Sequence, residues 1–173
     1  MLGHALIFEG VDAFADTVAL QCLAYNNAFA EANLPWLWGA DEIARYGGHA
    51  DPAESIRLYA ADTQATLNRH EIRLLSEAYI MHFTSRAARF GVPLRRGVEQ
   101  AVARARRDGR RVGIASRDPL APAIRLYNTP GVKVDALGLD VADVARMLDT
   151  AQMDVVRPGA PVHLVETIAN VAA

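Results

Sequence analysis

The chain has one cysteine, one lysine and no long apolar run, and each scarcity excludes something. Cys22 is the only thiol among 173 residues. It rules out an intramolecular disulfide and fits a reducing compartment. It stands beside Leu20 and Leu23 in a helical pattern, where a free thiol is read as packing rather than as a nucleophile. Of the 18 basic residues only Lys133 is a lysine, which we read as a composition bias without functional meaning. The formal net charge of −2 implies no broad attraction to nucleic acid or to a membrane surface. No stretch approaches the roughly 20 apolar residues of a membrane span. The N-terminus lacks the basic segment and apolar run of a signal peptide, so a cytoplasmic location is expected. His4, His70, His82 and His163 have no metal-ligand spacing, and no metal site is predicted.

What is present is ordinary for a globular protein: 51% hydrophobic and 22% charged residues, enough chain for one domain or a core with an insert. The stretch Ala5-Leu6-Ile7-Phe8-Glu9-Gly10-Val11-Asp12 organises the rest. An unbroken apolar run reaches an acid and then a turn, the pattern of a buried strand with Glu9 at its carboxyl end. In an open α/β sheet ligands bind just beyond the carboxyl ends of strands. A helical block follows. Its helices are expected from Asp16 to about Ala32, over Asp41–Tyr46, from Asp51 to about Gln64 and from Leu67 to Phe90. Trp36 and Trp38, in the connection after the first of these, are read as a hinge or core plug. Gly97–Asp108 is amphipathic. Val112–Ala115 is a second strand ending at Ser116, and Pro119 and Pro122 open a helix to Tyr127. Val132–Leu139 is read as a third strand. Asp140 and Asp143 open a helix to about Thr150, Met153–Val156 is a fourth strand, and Pro161–Ala172 a closing helix. Strand, helical block, then alternating elements predict a parallel α/β core with a helical insertion after the first strand.

The first stretch resembles the opening motif of the haloacid dehalogenase superfamily, Phe-Asp-x-Asp-Gly-Thr-Leu-x-Asp-Thr. Phe8, Asp16 and Thr17 match, but Glu9 replaces the nucleophilic Asp and Val11 the acid/base Asp. Tyr25-Asn26-Asn27-Ala28-Phe29 through Trp36, with Gly47-Gly48, resembles the CbbY-type sugar-phosphate phosphatases, related to β-phosphoglucomutases. Val92-Pro93-Leu94-Arg95-Arg96-Gly97-Val98 is similar to that branch's return to the core, and Val112–Ser116 to its second motif. The resemblance covers residue 4 to about 127. It implies a Rossmann-like α/β core with a short parallel sheet from 1–15 and 94–173, and an inserted helical cap from 16–93. Beyond it, Arg157-Pro158-Gly159-Ala160-Pro161 is read as a remnant of the third motif, normally a Lys before a helix. Lys133 is a rival inside a strand. The acidic fourth motif has no counterpart, and Val18 stands where the branch has a substrate-facing Glu.

Family phosphatases attack phosphorus with the Asp carboxylate and hold Mg²⁺ between it, a backbone carbonyl and the fourth-motif acid. Glu9 adds about 1.5 Å of reach, and a displacement near 1 Å can cost on the order of 10²-fold. Val11 can neither donate nor accept a proton, a loss of typically about 10²–10⁴-fold. The resemblance therefore implies a degenerate member, a pseudoenzyme that binds a phosphosugar, another anion or a protein partner and needs no cofactor. The alternative is a working Mg²⁺-dependent phosphatase with Glu9 as nucleophile. Catalytic candidates are Glu9, Asp12 as a displaced acid or a metal ligand, and Ser116; binding candidates are Ser116, Arg157 and His49. Each has a plainer role: a turn Asp for Asp12, a helix cap for Ser116, a solvated loop residue for Arg157 and for His49. A truncated parallel sheet leaves an open edge, so a homodimer is expected.

Overall fold

The computed structural model describes residues 3–127, 132–162 and 166–169. These divide into two compact units. The first comprises the described residues within Met1–Asp16, Gly91–Arg117 and Ala121–Ala173; the second is Thr17–Phe90 with Asp118–Leu120.

The first unit is a five-stranded sheet in the order β3-β2-β1-β4-β5. β1 (Gly3–Glu9) lies at its centre, parallel to β2 (Arg111–Ala115) on one side and β4 (Thr150–Val156) on the other. β3 (Ala136–Gly138) continues the parallel set beyond β2, and β5 (Glu166–Ala169) runs antiparallel to β4. Ala5 through Phe8 are buried, as a strand covered on both faces must be. A short helix, α1 (Val11–Phe14), follows β1 where the sequence suggested only a turn. Phe14 from α1 packs edge-on against Phe8, with ring centroids 5.1 Å apart.

The remaining helices of this unit are α6 (Val98–Arg107), α7 (Ala121–Leu126) and α8 (Val141–Met147). At the start of α8, Asp140 accepts a hydrogen bond from the Asp143 N–H at 2.9 Å, so this acidic pair is a helix cap. α8 lies so close to the sheet that a Cβ on Gly113 would collide with Val144.

Three expectations change here. The third strand shrinks to Ala136–Gly138; just ahead of it the Asp135 side chain accepts from Arg106 at 2.6 Å and from the Val112 N–H at 2.8 Å, while its own N–H donates to the Val112 carbonyl at 2.8 Å. Lys133 therefore lies outside any strand. The expected closing helix is not formed at Glu166–Ala169, which pairs with β4; the hydrogen-bonding edge of β4 prevails over helical spacing. Other parts of that expectation, with His163, lie outside the described residues.

The second unit is helical: α2 (Val18–Glu31), α3 (Ala40–Tyr46), α4 (Pro52–Asp62) and α5 (Arg69–Phe90). Asp51 caps α4 through the Ala53 N–H, with Pro52 at the first helical position. Asn68 and Glu71 form a reciprocal cap for α5. Trp38 is 1% exposed and fills the centre, 4.3 Å from Tyr25 and 5.2 Å from Tyr59 by ring centroids. Asn26 holds it in place. Its side chain donates to the Trp38 carbonyl at 2.9 Å and accepts from the Trp38 N–H at 2.7 Å. Among the described residues no helix is long and apolar enough to cross a membrane.

Candidate functional site

Strand register fixes what surrounds Glu9. Glu9 pairs with Ala115, so Ser116 stands one residue beyond on β2. Phe8 pairs with Val156, so Arg157 stands one residue beyond on β4. The carboxyl ends of the three central parallel strands thus bring Glu9, Ser116 and Arg157 together. Arg157 Nη1 lies 3.7 Å from Glu9 Oε2, with side chains 55% and 42% exposed. The Ser116 N–H donates to the Gly138 carbonyl at 2.8 Å and the Gly10 N–H to the Ala115 carbonyl at 2.7 Å. Gly10 has φ +92°, a conformation that lets β1 turn directly into α1, and Pro158 packs against it.

The loops beyond β1 and β4 are tied together by Arg95. Its guanidinium donates to the Ala13 carbonyl at 3.3 Å and to the Ala160 carbonyl at 3.0 Å. Sequence reasoning placed Arg95 only in the return to the core and missed this staple, which joins segments far apart in the chain. Asp12 lies in the first turn of α1. Loss of solvation raises its pKa; Arg95 opposes that shift and Asp16 adds to it. Val11 is 5% exposed and part of the core.

The reading of Arg157 as a third-motif remnant before a helix needs correction. It follows β4, beside β1, and no helix follows it among the described residues. The available signal was the apolar run Met153–Val156 ending at Arg157, parallel in design to the run ending at Glu9. His49 belongs to the helical unit, exposed after α3 and near enough to Glu54 to lower its pKa alongside the larger effect of Arg57. Cys22 is half-buried, and its thiol pKa is raised, chiefly by burial, which keeps it protonated and unreactive.

No family model matches the chain. Protein CbbY, plasmid, of Cupriavidus necator is 28% identical over 126 residues, which is 65% of this chain and 46% of that protein. This chain thus matches a little under half the length of that relative. CbbY from Rhodobacter sphaeroides, solved in complex with xylulose-(1,5)bisphosphate, superposes with a TM-score of 0.69 at 20% identity, over 90% of this chain and 77% of that one. The β-phosphoglucomutase of Clostridium difficile gives 0.63 at 14% identity, over 87% and 73%. The chain shares the fold of these two proteins. Its curated relative is of the CbbY type, in agreement with the resemblance carried by residues 4–127.

The Mg²⁺ that a haloacid dehalogenase-like site implies does not fit the residues present. Mg²⁺ is usually held by one or two carboxylates, with waters and substrate phosphate oxygens completing its shell. On the β4 side of Glu9 stands a guanidinium instead, already paired with the Glu9 carboxylate. Among the described residues no three His, Cys, Asp or Glu side chains converge on a metal position. The arrangement offers a carboxylate, a hydroxyl and an arginine, a set suited to holding an oxyanion.

Proposed function

We propose that this haloacid dehalogenase-like protein binds a phosphorylated sugar at the carboxyl ends of β1, β2 and β4 and turns it over negligibly. The observation that carries this reading is Val11. A buried apolar side chain occupies the place where proton transfer is needed, two residues after a carboxylate one methylene too long. The sugar-phosphate relatives supply the ligand class. Ser116 supplies a hydroxyl and Arg157 a cation at the same strand ends. Cytoplasmic placement and the absence of a resident cofactor belong to the same reading.

A thermal-shift panel of sugar mono- and bisphosphates tests it. A ligand at 100 times its dissociation constant adds about 2.7 kcal/mol of stability, and at least one panel member is expected to raise the melting temperature. No shift with any of them sinks the reading and leaves a protein partner as the occupant. Self-association is part of the proposal, since β3 ends the sheet as a three-residue strand. Light scattering at micromolar concentration is expected to give a dimer, and a monomer contradicts that part.

One observation favours a second reading. The raised pKa of Asp12 suits a proton donor three residues from Glu9. In that reading Glu9 attacks phosphorus and Asp12 protonates the leaving oxygen, at a rate well below that of an Asp-based site.

A further inference from the structure

The Glu9–Arg157 pair marks the point where this chain departs most from a metal-dependent phosphatase. β2 flanks Glu9 on one side and is followed by a hydroxyl residue, Ser116. β4 flanks it on the other and is followed by Arg157, 3.7 Å from the Glu9 carboxylate. A divalent cation here would meet a guanidinium at the β4 end in place of a second carboxylate. Charge arithmetic makes the exchange coherent: one carboxylate plus one divalent cation sums to +1, the charge of one arginine. The loop that carries Arg157 is also fixed to the loop after Glu9, because Arg95 donates to the carbonyls of Ala13 and Ala160. Pro158 packs against Gly10 at the same junction. The backbone that carries Arg157 is therefore anchored beside β1 independently of the exposed ion pair, which is weak by itself.

We propose that Arg157 is the fixed cation of a metal-independent phosphate subsite, with Glu9 as its positioning counter-ion and Ser116 as a hydroxyl donor. The ligand class is a phosphate monoester or inorganic phosphate, bound with no divalent metal. A guanidinium carries five N–H donors in a planar fork, so it can pair with a carboxylate and a phosphate together. Its exposure leaves an approach for an anion from solvent. The proposal rests on the ligand class assigned above but not on the absence of turnover.

The test uses the full chain, in EDTA and in millimolar Mg²⁺. Inorganic phosphate and glycerol phosphate are titrated by calorimetry, and Mn²⁺ binding is read from the loss of the free-ion electron paramagnetic resonance signal. Wild type is expected to bind at least one phosphate probe equally with and without Mg²⁺ and to take up no Mn²⁺. Binding of the ester but not of the free ion assigns an ester subsite; the reverse assigns a free-phosphate site. Arg157→Ala is expected to weaken phosphate about tenfold or more, since a charge-assisted contact is lost, and Arg157→Lys to recover part of it. Arg157→Asp, which pairs a second carboxylate with Glu9, is expected to gain Mn²⁺ uptake. Circular dichroism confirms that each variant folds. Phosphate binding that requires Mg²⁺, Mn²⁺ uptake by wild type that disappears in Glu9→Gln, unchanged affinity in Arg157→Ala, or no binding of either probe overturns the proposal. Glu9-dependent phosphate release that persists in EDTA overturns the non-catalytic reading alone and leaves the subsite standing.

Discussion

At the residue scale, two carboxylates carry opposite pH signatures. Asp12 has a raised pKa, so the fold favours its protonated form. Above the unfolded pKa, near 3.9, the fold bears the penalty of disfavouring the ionised form; below it the penalty is gone. Asp12→Asn should therefore raise stability in urea titrations at pH 7 and bring no gain at pH 3. Asp135 behaves in the reverse sense. Burial pushes its pKa up, but the Arg106 hydrogen bond, the Val112 N–H and nearby positive charge outweigh that and hold it low. Its contribution is present above the unfolded pKa and is lost as pH falls through the depressed folded value. Asp135→Ala should cost about 1.5–3 kcal/mol at neutral pH, the range for hydrogen bonds to a charged group, and the deficit should narrow in acid. An unchanged midpoint at pH 7 contradicts the role given to Asp135 in tying Arg106 and the Val112 N–H together ahead of β3. Glu9 and Ser116 were legible in the sequence because each ends an apolar run with a polar residue. The 3.7 Å approach of Arg157 to Glu9 was not, because it depends on β4 pairing beside β1 across nearly 150 residues of chain.

At the scale of elements, periodicity revealed what is local and missed what is shared. α2, α4 and α5 follow their apolar spacing and carry their caps in sequence, Asp51 and Asn68 among them. β1 and β2 follow from continuous apolar runs. β5 could not be read that way: its four residues are held by ladder bonds to Gln152–Val155, a property of the neighbour rather than of the segment. The short α1 was missed for a related reason, since four residues show no period and the helix depends on Val11 and Phe14 being drawn into the core. The packing of α8 on the sheet gives a sharper prediction. Gly113 on β2 and Gly138 on β3 make room for Val144, and added Cβ atoms would press into it. Gly113→Ala should destabilise the protein by about 1–3 kcal/mol, the usual cost of overpacking a tight interior. Pairing it with Val144→Ala should recover part of that loss. A neutral Gly113→Ala in denaturant titration would show that α8 sits further from the sheet than described.

At the scale of the whole molecule, an α/β unit with the fold of CbbY and a helical unit organised around Trp38 carry Glu9, Ser116 and Arg157 at the strand ends of the first unit. The scaffold was legible because its signals are redundant: the first strand, the Asn26-to-Trp36 segment and the Val92–Val98 segment all point one way. The chemistry was legible only in part, since Glu9 and Val11 stand in sequence order but their partner on β4 is set by sheet topology. The account holds that binding outlived turnover. The most direct test is steady-state phosphate release from a panel of sugar phosphates and an aryl phosphate, with and without Mg²⁺, for wild type and Glu9→Gln purified identically. The account predicts the same low background from both proteins under every condition. Release by wild type that vanishes in Glu9→Gln would contradict it and make Glu9 a working nucleophile.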